Sequence, residues 1–142
     1  MTYATQAMLM KRFGERTLIW LTDRADEPTG VMDADLIAQE LGNTDAVING
    51  YVGNRYRLPL EPVPELVIDL ALVIAIYKLH VQSPEKKIMD DYDRAMGTLV
   101  DIAKGTVKLE AAGIEPASSG ASGVQFIDRE RPLSPESMRG FI

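Results

Sequence analysis

The stretch from Leu66 to Val81 restricts this chain more than any other, because only Asp69, Lys78 and His80 interrupt its apolar run. At helical spacing Leu66, Val67, Leu70, Ala71, Val73, Ile74, Tyr77 and Val81 cover most of the circumference. A helix without a wet face is either central in its own fold or covered again by a neighbouring subunit. The run falls short of the roughly 20 residues that span a bilayer, so it predicts a buried helix and no membrane span. Leu58-Pro59-Leu60-Glu61-Pro62-Val63-Pro64 precedes it. Each proline there fixes its own φ and lacks an amide donor, which predicts a stiff, extended connector setting the angle between two helices. Pro64 suits the first position of the apolar helix.

The neighbouring segments read as further helices. Residues 5–14 predict a short one, capped by Thr5, ended by a left-handed Gly14, with Met8, Leu9 and Phe13 on its apolar side. Glu15 to Leu21 places Leu18, Ile19 and Trp20 together before a polar loop over 22–30 that carries Pro28 and Gly30. Asp33 is the expected cap of one long helix reaching about residue 56, its phase persisting across Gly42-Asn43-Thr44. Ser83-Pro84-Glu85 repeats a start signal. The last helix, near 84–104, then has one apolar stripe of Ile88, Tyr92, Ala95, Met96, Leu99, Ile102 and Ala103, and Lys104-Gly105 stops it.

The expectation is therefore an all-α small bundle of four to five helices over residues 1–109. Residues 110–142, with four Gly, three Pro and five Ser and no sustained period, predict an extended tail ordered by partners. Val124, Phe126, Ile127, Leu133, Met138, Phe141 and Ile142 are spaced along it as separate apolar anchors.

Hydrophobic residues make up 46% of 142, as expected of one ordinary core. A net charge of −6 provides no overall field toward nucleic-acid phosphate or anionic lipid. With no cysteine, thiolate catalysis, disulfides and Cys-based metal sites are excluded together. The start, Met1-Thr2-Tyr3-Ala4-Thr5-Gln6, has no cationic or apolar region of the kind a secretory signal needs.

Catalytic signals are missing as well. Glu85, Asp90, Asp91 and Asp93 sit on a helix at angles that do not converge on one ion, and read as a solvated acidic face. Asp23, Asp26, Glu27, Gly30 and Asp33 lack the order of a calcium loop. His80 is the chain's one histidine and has no companion ligand, so it reads as structural. No nucleophile elbow, phosphate loop or dinucleotide fingerprint occurs, and the expectation is a protein that is no enzyme and needs no cofactor. Tyr51, Arg55, Tyr56 and Arg57 are the one basic and aromatic concentration. They could contact phosphate or stack on a base. The preferred reading is that the tyrosines close the core while the arginines favour a helix's negative pole. Leu72, Ile76 and Tyr77 join Tyr51, Arg55 and Tyr56 as candidates for a subunit contact or core surface.

Several short strings then agree with a known family. They are Tyr3-Ala4-Thr5, Arg12-Phe13-Gly14, Leu21-Thr22-Asp23-Arg24, Asn49-Gly50-Tyr51-Val52 and Arg55-Tyr56-Arg57-Leu58-Pro59-Leu60. Pro64-Glu65-Leu66, Ile76-Tyr77-Lys78-Leu79, Tyr92-Asp93-Arg94-Ala95 and Ile102-Ala103-Lys104-Gly105 follow in order. Together they resemble the small head-tail connector, or adaptor, proteins of Mu-like tailed phages and prophages, over about residues 1–109. Residues 110–142 fall outside that resemblance. It implies a helical subunit of a ring, commonly of about twelve copies joined by heterologous contacts. Such a ring sits below the portal at the virion neck and extends the DNA channel toward a downstream neck or tail protein. It implies synthesis in the host bacterial cytoplasm and no catalytic residue. Val124, Phe126, Ile127, Leu133, Phe141 and Ile142 become candidate contacts with portal or neighbouring subunits. Two rival readings are a stopper or tail-completion neck protein and a small helical DNA-binding regulator.

Overall fold

The computed structural model describes residues 2–109. Among them are five helices and no strand: α1 (Gln6–Phe13), α2 (Glu15–Thr22), α3 (Ala34–Val52), α4 (Glu65–Leu79) and α5 (Lys86–Lys104). The all-α small bundle expected from the sequence is what forms. α3, α4 and α5 pack on one another, and α1 leans on α3 and α4 while pairing with α2.

α4 is the central helix, with Val67, Leu79 and every residue from Leu70 to Ile76 buried. Each large aliphatic side chain so buried contributes about 1.5–3 kcal/mol. Its wrapping comes from the chain's own helices, α3 on one side and α5 on another. Leu72 and Ile76, candidates for a subunit contact or core surface, are both buried in this core. α5 buries Ala95, Leu99 and Ile102 from its expected stripe and leaves Asp93, Arg94, Asp101 and Lys104 outside.

Several boundaries differ from expectation for local reasons. α3 does run through Gly42 unbroken, and the Asp33 carboxylate accepts from the amides of Asp35 and Leu36 at 3.1 Å each. It ends at Val52, short of residue 56, because Tyr56 turns inward to join the core. Pro64 lies one residue outside α4, as its N-cap. Ser83 caps nothing: extended backbone at Glu85 delays α5 to Lys86. Gly14 has a positive φ of 92°, but its ψ of 147° is extended rather than left-handed helical, since the same residue ends α1 and starts α2. Gly105 does take the left-handed conformation, φ 81° and ψ 9°. The proline connector is not extended: it runs through bends, with cis bonds at Leu58–Pro59 and Glu61–Pro62, and Leu60 pins it to the core.

No helix among the described residues is long and apolar enough to cross a membrane.

Candidate interaction surface

The outer face of α1 and α2 is built by helical phase. In α2, Leu18, Leu21 and Thr22 are buried, spaced three and four residues apart on one face. Trp20 lies two residues from Leu18 and from Thr22, about 200° round the helix, and therefore points outward. It is 76% exposed. This corrects the expected grouping of Trp20 with Leu18 and Ile19. Beyond the end of α4, Val81 is 72% exposed, and Trp20 and Val81 line one small cleft together.

Three hydrogen bonds, two from Arg24 and one from His80, fix the ridge that Trp20 and Val81 form. Arg24 donates from Nη2 to the Leu79 carbonyl at 3.0 Å and from Nε to that of Leu21 at 3.3 Å, joining the C-termini of α2 and α4. The His80 Nδ1 lies 2.7 Å from the Ile76 carbonyl. A carbonyl only accepts, so Nδ1 carries the proton, and His80 is structural in the way its isolation in the sequence implies.

Two larger grooves meet at Arg12, which lines both, and Trp20 lines the first of them. The first, about 670 Å³, lies between α1–α2 and the start of α5, with Phe13, Trp20 and Ile88 as its apolar part and Arg16, Lys87, Glu85 and Asp91 around it. The second, about 790 Å³, is a trough between α1 and α4 floored by Met8, Leu66, Ile68 and Leu72. Arg12 pairs with Asp69 across it, which explains why the apolar helix keeps that acid. Of the seven large hydrophobic side chains exposed among the described residues, Met8, Trp20, Leu66 and Val81 line these grooves and the small cleft, forming one belt, while Val31, Leu58 and Met89 line none of them.

Tyr51, Arg55, Tyr56 and Tyr77 serve the bundle itself. Arg55 donates from Nε to Ala103 O at 3.0 Å and from Nη2 to Lys104 O at 2.7 Å, covering the negative pole of α5 rather than that of its own helix. Tyr56 is 4% exposed, and its hydroxyl accepts from the Leu109 amide at 2.9 Å. A base cannot stack on a ring so enclosed. Tyr77 stacks on Tyr92 with centroids 3.8 Å apart. Burial pushes the Tyr92 hydroxyl up from its ordinary pKa, with Tyr77, Tyr51 and Asp93 adding to the shift. Tyr51 is half-buried against the core, and Arg57 alone of this set stands free in solvent. Val124, Phe126, Ile127, Leu133, Phe141 and Ile142 lie outside the described residues.

Asp23, compared above with a calcium loop, has its carboxylate occupied by the chain itself. It accepts from the amides of Gly30 and Thr29 and from the Thr29 hydroxyl, and these bonds, that of Gly30 foremost, hold it below the usual carboxylate range. Asp45 accepts from the Tyr3 amide, yet burial outweighs that bond and raises its pKa. Among the described residues no three His, Asp or Glu side chains are grouped to hold a metal ion.

A family model described as Bacteriophage Mu, Gp36 matches residues 3–127. The chain belongs to that family. It is 27% identical over 142 residues to "Gene product J" of Escherichia phage Mu, covering 100% of both chains. It is 24% identical over 143 residues to "Mu-like prophage FluMu protein gp36" of Haemophilus influenzae, covering 99% of this chain and 98% of the relative. Both relatives are thus proteins of phage Mu or a Mu-like prophage. The similarity also continues past Leu109, which corrects the expectation that residues 110–142 stand outside it.

Proposed function

We propose that this chain is a structural subunit of the phage neck: a head-tail connector that assembles as a ring below the portal, extends the DNA channel and performs no chemical step. The observation that carries the reading is the apolar belt of Met8, Leu66, Trp20 and Val81 on a bundle whose core is already closed. Scattered single hydrophobics on a surface need no explanation, whereas several in adjoining grooves mark a place where another protein sits. The partners on this reading are copies of the chain itself, the portal protein and a downstream neck or tail protein, with genomic DNA in transit. A net charge of −6 suits that transit, because each lysine or arginine contact with phosphate adds affinity and drag. Residues 110–142 supply separated apolar anchors, chiefly Phe126, Ile127, Phe141 and Ile142, for grooves on the portal or on neighbouring subunits.

Family membership supports the phage setting, and the enclosure of Tyr56 and engagement of Arg55 weigh against the DNA-binding regulator. The test is electron microscopy of DNA-filled, tailless heads mixed with purified protein. Ring density at the portal vertex is expected, and its loss on deleting residues 110–142. Bare vertices, or attachment to isolated tail tubes instead, would overturn the connector reading, the latter in favour of a stopper or tail-completion role. A gel shift at low salt should show little retention of duplex DNA.

A further inference from the structure

We infer that the Trp20–Val81 ridge of one copy seats in the Met8–Leu66 trough of the next, making a head-to-tail contact. The inference rests on the connector reading only for the premise that copies of this chain meet. The two patches differ in shape: Trp20 stands between the first groove and the small cleft it shares with Val81, and the trough is a separate concave space of about 790 Å³ with an aliphatic floor. A chain cannot fill its own trough with its own indole. Trp20 does not line that trough, and Arg24 fastens the end of α2 to α4.

Charge on the two rims supports a second copy as the occupant. Among the described residues Lys11 and Glu65 at the trough form no ion pair, and neither do Arg16, Lys87 and Glu85 beside the ridge. Each rim therefore presents both signs, and docking ridge on trough lets Glu65 meet Arg16 or Lys87 while Lys11 meets Glu85. Tryptophan and arginine are also the side chains that most often carry the energy of protein contacts. Because ridge and trough are different patches, each added copy leaves one of each unfilled, and the contact repeats until a ring closes.

Trp20 is the chain's single tryptophan, so the chain's indole fluorescence comes from the ridge alone. Full-length protein is followed by sedimentation and by acrylamide quenching as concentration rises to about 1 mM. The expected result is species larger than a dimer, with Trp20 emission moving to shorter wavelength and quenching falling as they form. Leu66→Asp and Met8→Asp, at positions 38% and 37% exposed in the monomer, should each weaken association about thirtyfold with unchanged helical circular dichroism. Assemblies in which Trp20 stays fully quenchable would overturn the inference, as would assembly that stops at a dimer or no assembly at all. The connector reading fails separately, when wild-type protein leaves the portal vertex bare.

Discussion

Replacing Arg55 and Gly105 singly and together should reveal that the two residues act as one device closing α5. Arg55 donates two charge-assisted bonds to the last carbonyls of that helix, at 3.0 and 2.7 Å. Such bonds contribute about 1.5–3 kcal/mol when protected, and a cation at a helix C-terminus adds about 0.3–1 kcal/mol. The guanidinium is partly solvated, so about 1.5 kcal/mol in all is the expected loss in Arg55→Ala. Gly105→Ala carries two costs. An alanine at φ 81° is strained by about 1–2 kcal/mol. Its Cβ would also come within 2.4 Å of Cζ of Arg55, which must then leave its carbonyls.

Gly105→Ala alone should therefore cost about 3 kcal/mol, and adding Arg55→Ala to it should cost almost nothing more, since the clamp is already lost. The measurement is urea unfolding of all four proteins by circular dichroism, with a coupling of about 1.5 kcal/mol between the sites. If the two losses simply add, within about 0.5 kcal/mol, the glycine and the arginine are independent and the reasoning fails.

Other substitutions separate hydrogen bonds that matter from those that merely exist. Tyr56→Phe leaves the buried Leu109 amide without an acceptor and should cost about 1–2 kcal/mol in the same unfolding assay. Of the two buried threonines, Thr22 both donates to Leu18 O and accepts from the Asp33 amide, whereas Thr44 only donates to Glu40 O within its helix. Thr22→Val should thus destabilise by about 1–2 kcal/mol and Thr44→Val by less than about 0.5 kcal/mol; equal losses would contradict this. Asp23 and Asp45 predict opposite pH dependences. The pKa of Asp23 is lowered, so its stabilisation is complete above the ordinary carboxylate range and drains away as pH falls through the lowered value. That of Asp45 is raised, so its ionisation costs stability as pH rises through the raised value. Asp45→Asn should flatten the second dependence without loss at neutral pH, and Asp23→Asn should weaken the first, both read from unfolding midpoints between acid and neutral pH.

Elements with strong periodicity were legible in the sequence. The central position of α4 follows from its lack of a polar face, and the cap at Asp33 and the stop at Gly105 follow from residue type. What escaped was whatever depends on where two distant segments meet. Nothing near Arg55 signals that its partners are Ala103 and Lys104, forty-eight and forty-nine residues on. The end of α3 is set in the same way, since Tyr56 leaves the helix for a hydrogen bond with Leu109. The exposed belt had a readable signal: Leu18, Leu21 and Thr22 define the inward face of α2 and leave Trp20 opposite. Adjacency to Leu18 and Ile19 says nothing of this, because successive helical residues point about 100° apart. In the trough, Leu66 belongs to a run so apolar that its exposure cannot be told from its pattern.

The position of Trp20 is costly for folding alone. A buried indole removes about 150–250 Å² from water. At about 25 cal/mol per Å² that is roughly 4–6 kcal/mol, most of which a ring 76% exposed does not gain. A mobile side chain in such a place would also lose entropy on docking, which weakens any contact it makes. The backbone beneath the ring adds little to that second cost. Gly14 joins α1 directly to α2 with no spacer, and Arg24 bonds the other end of α2 to the Leu79 carbonyl, so the backbone beneath Trp20 is held at both ends. The same Leu79 carbonyl stands two residues from Val81, which locks the second half of the ridge to the first. On the proposed head-to-tail contact, the area that the indole leaves in water is what a second copy covers, over backbone that is already fixed.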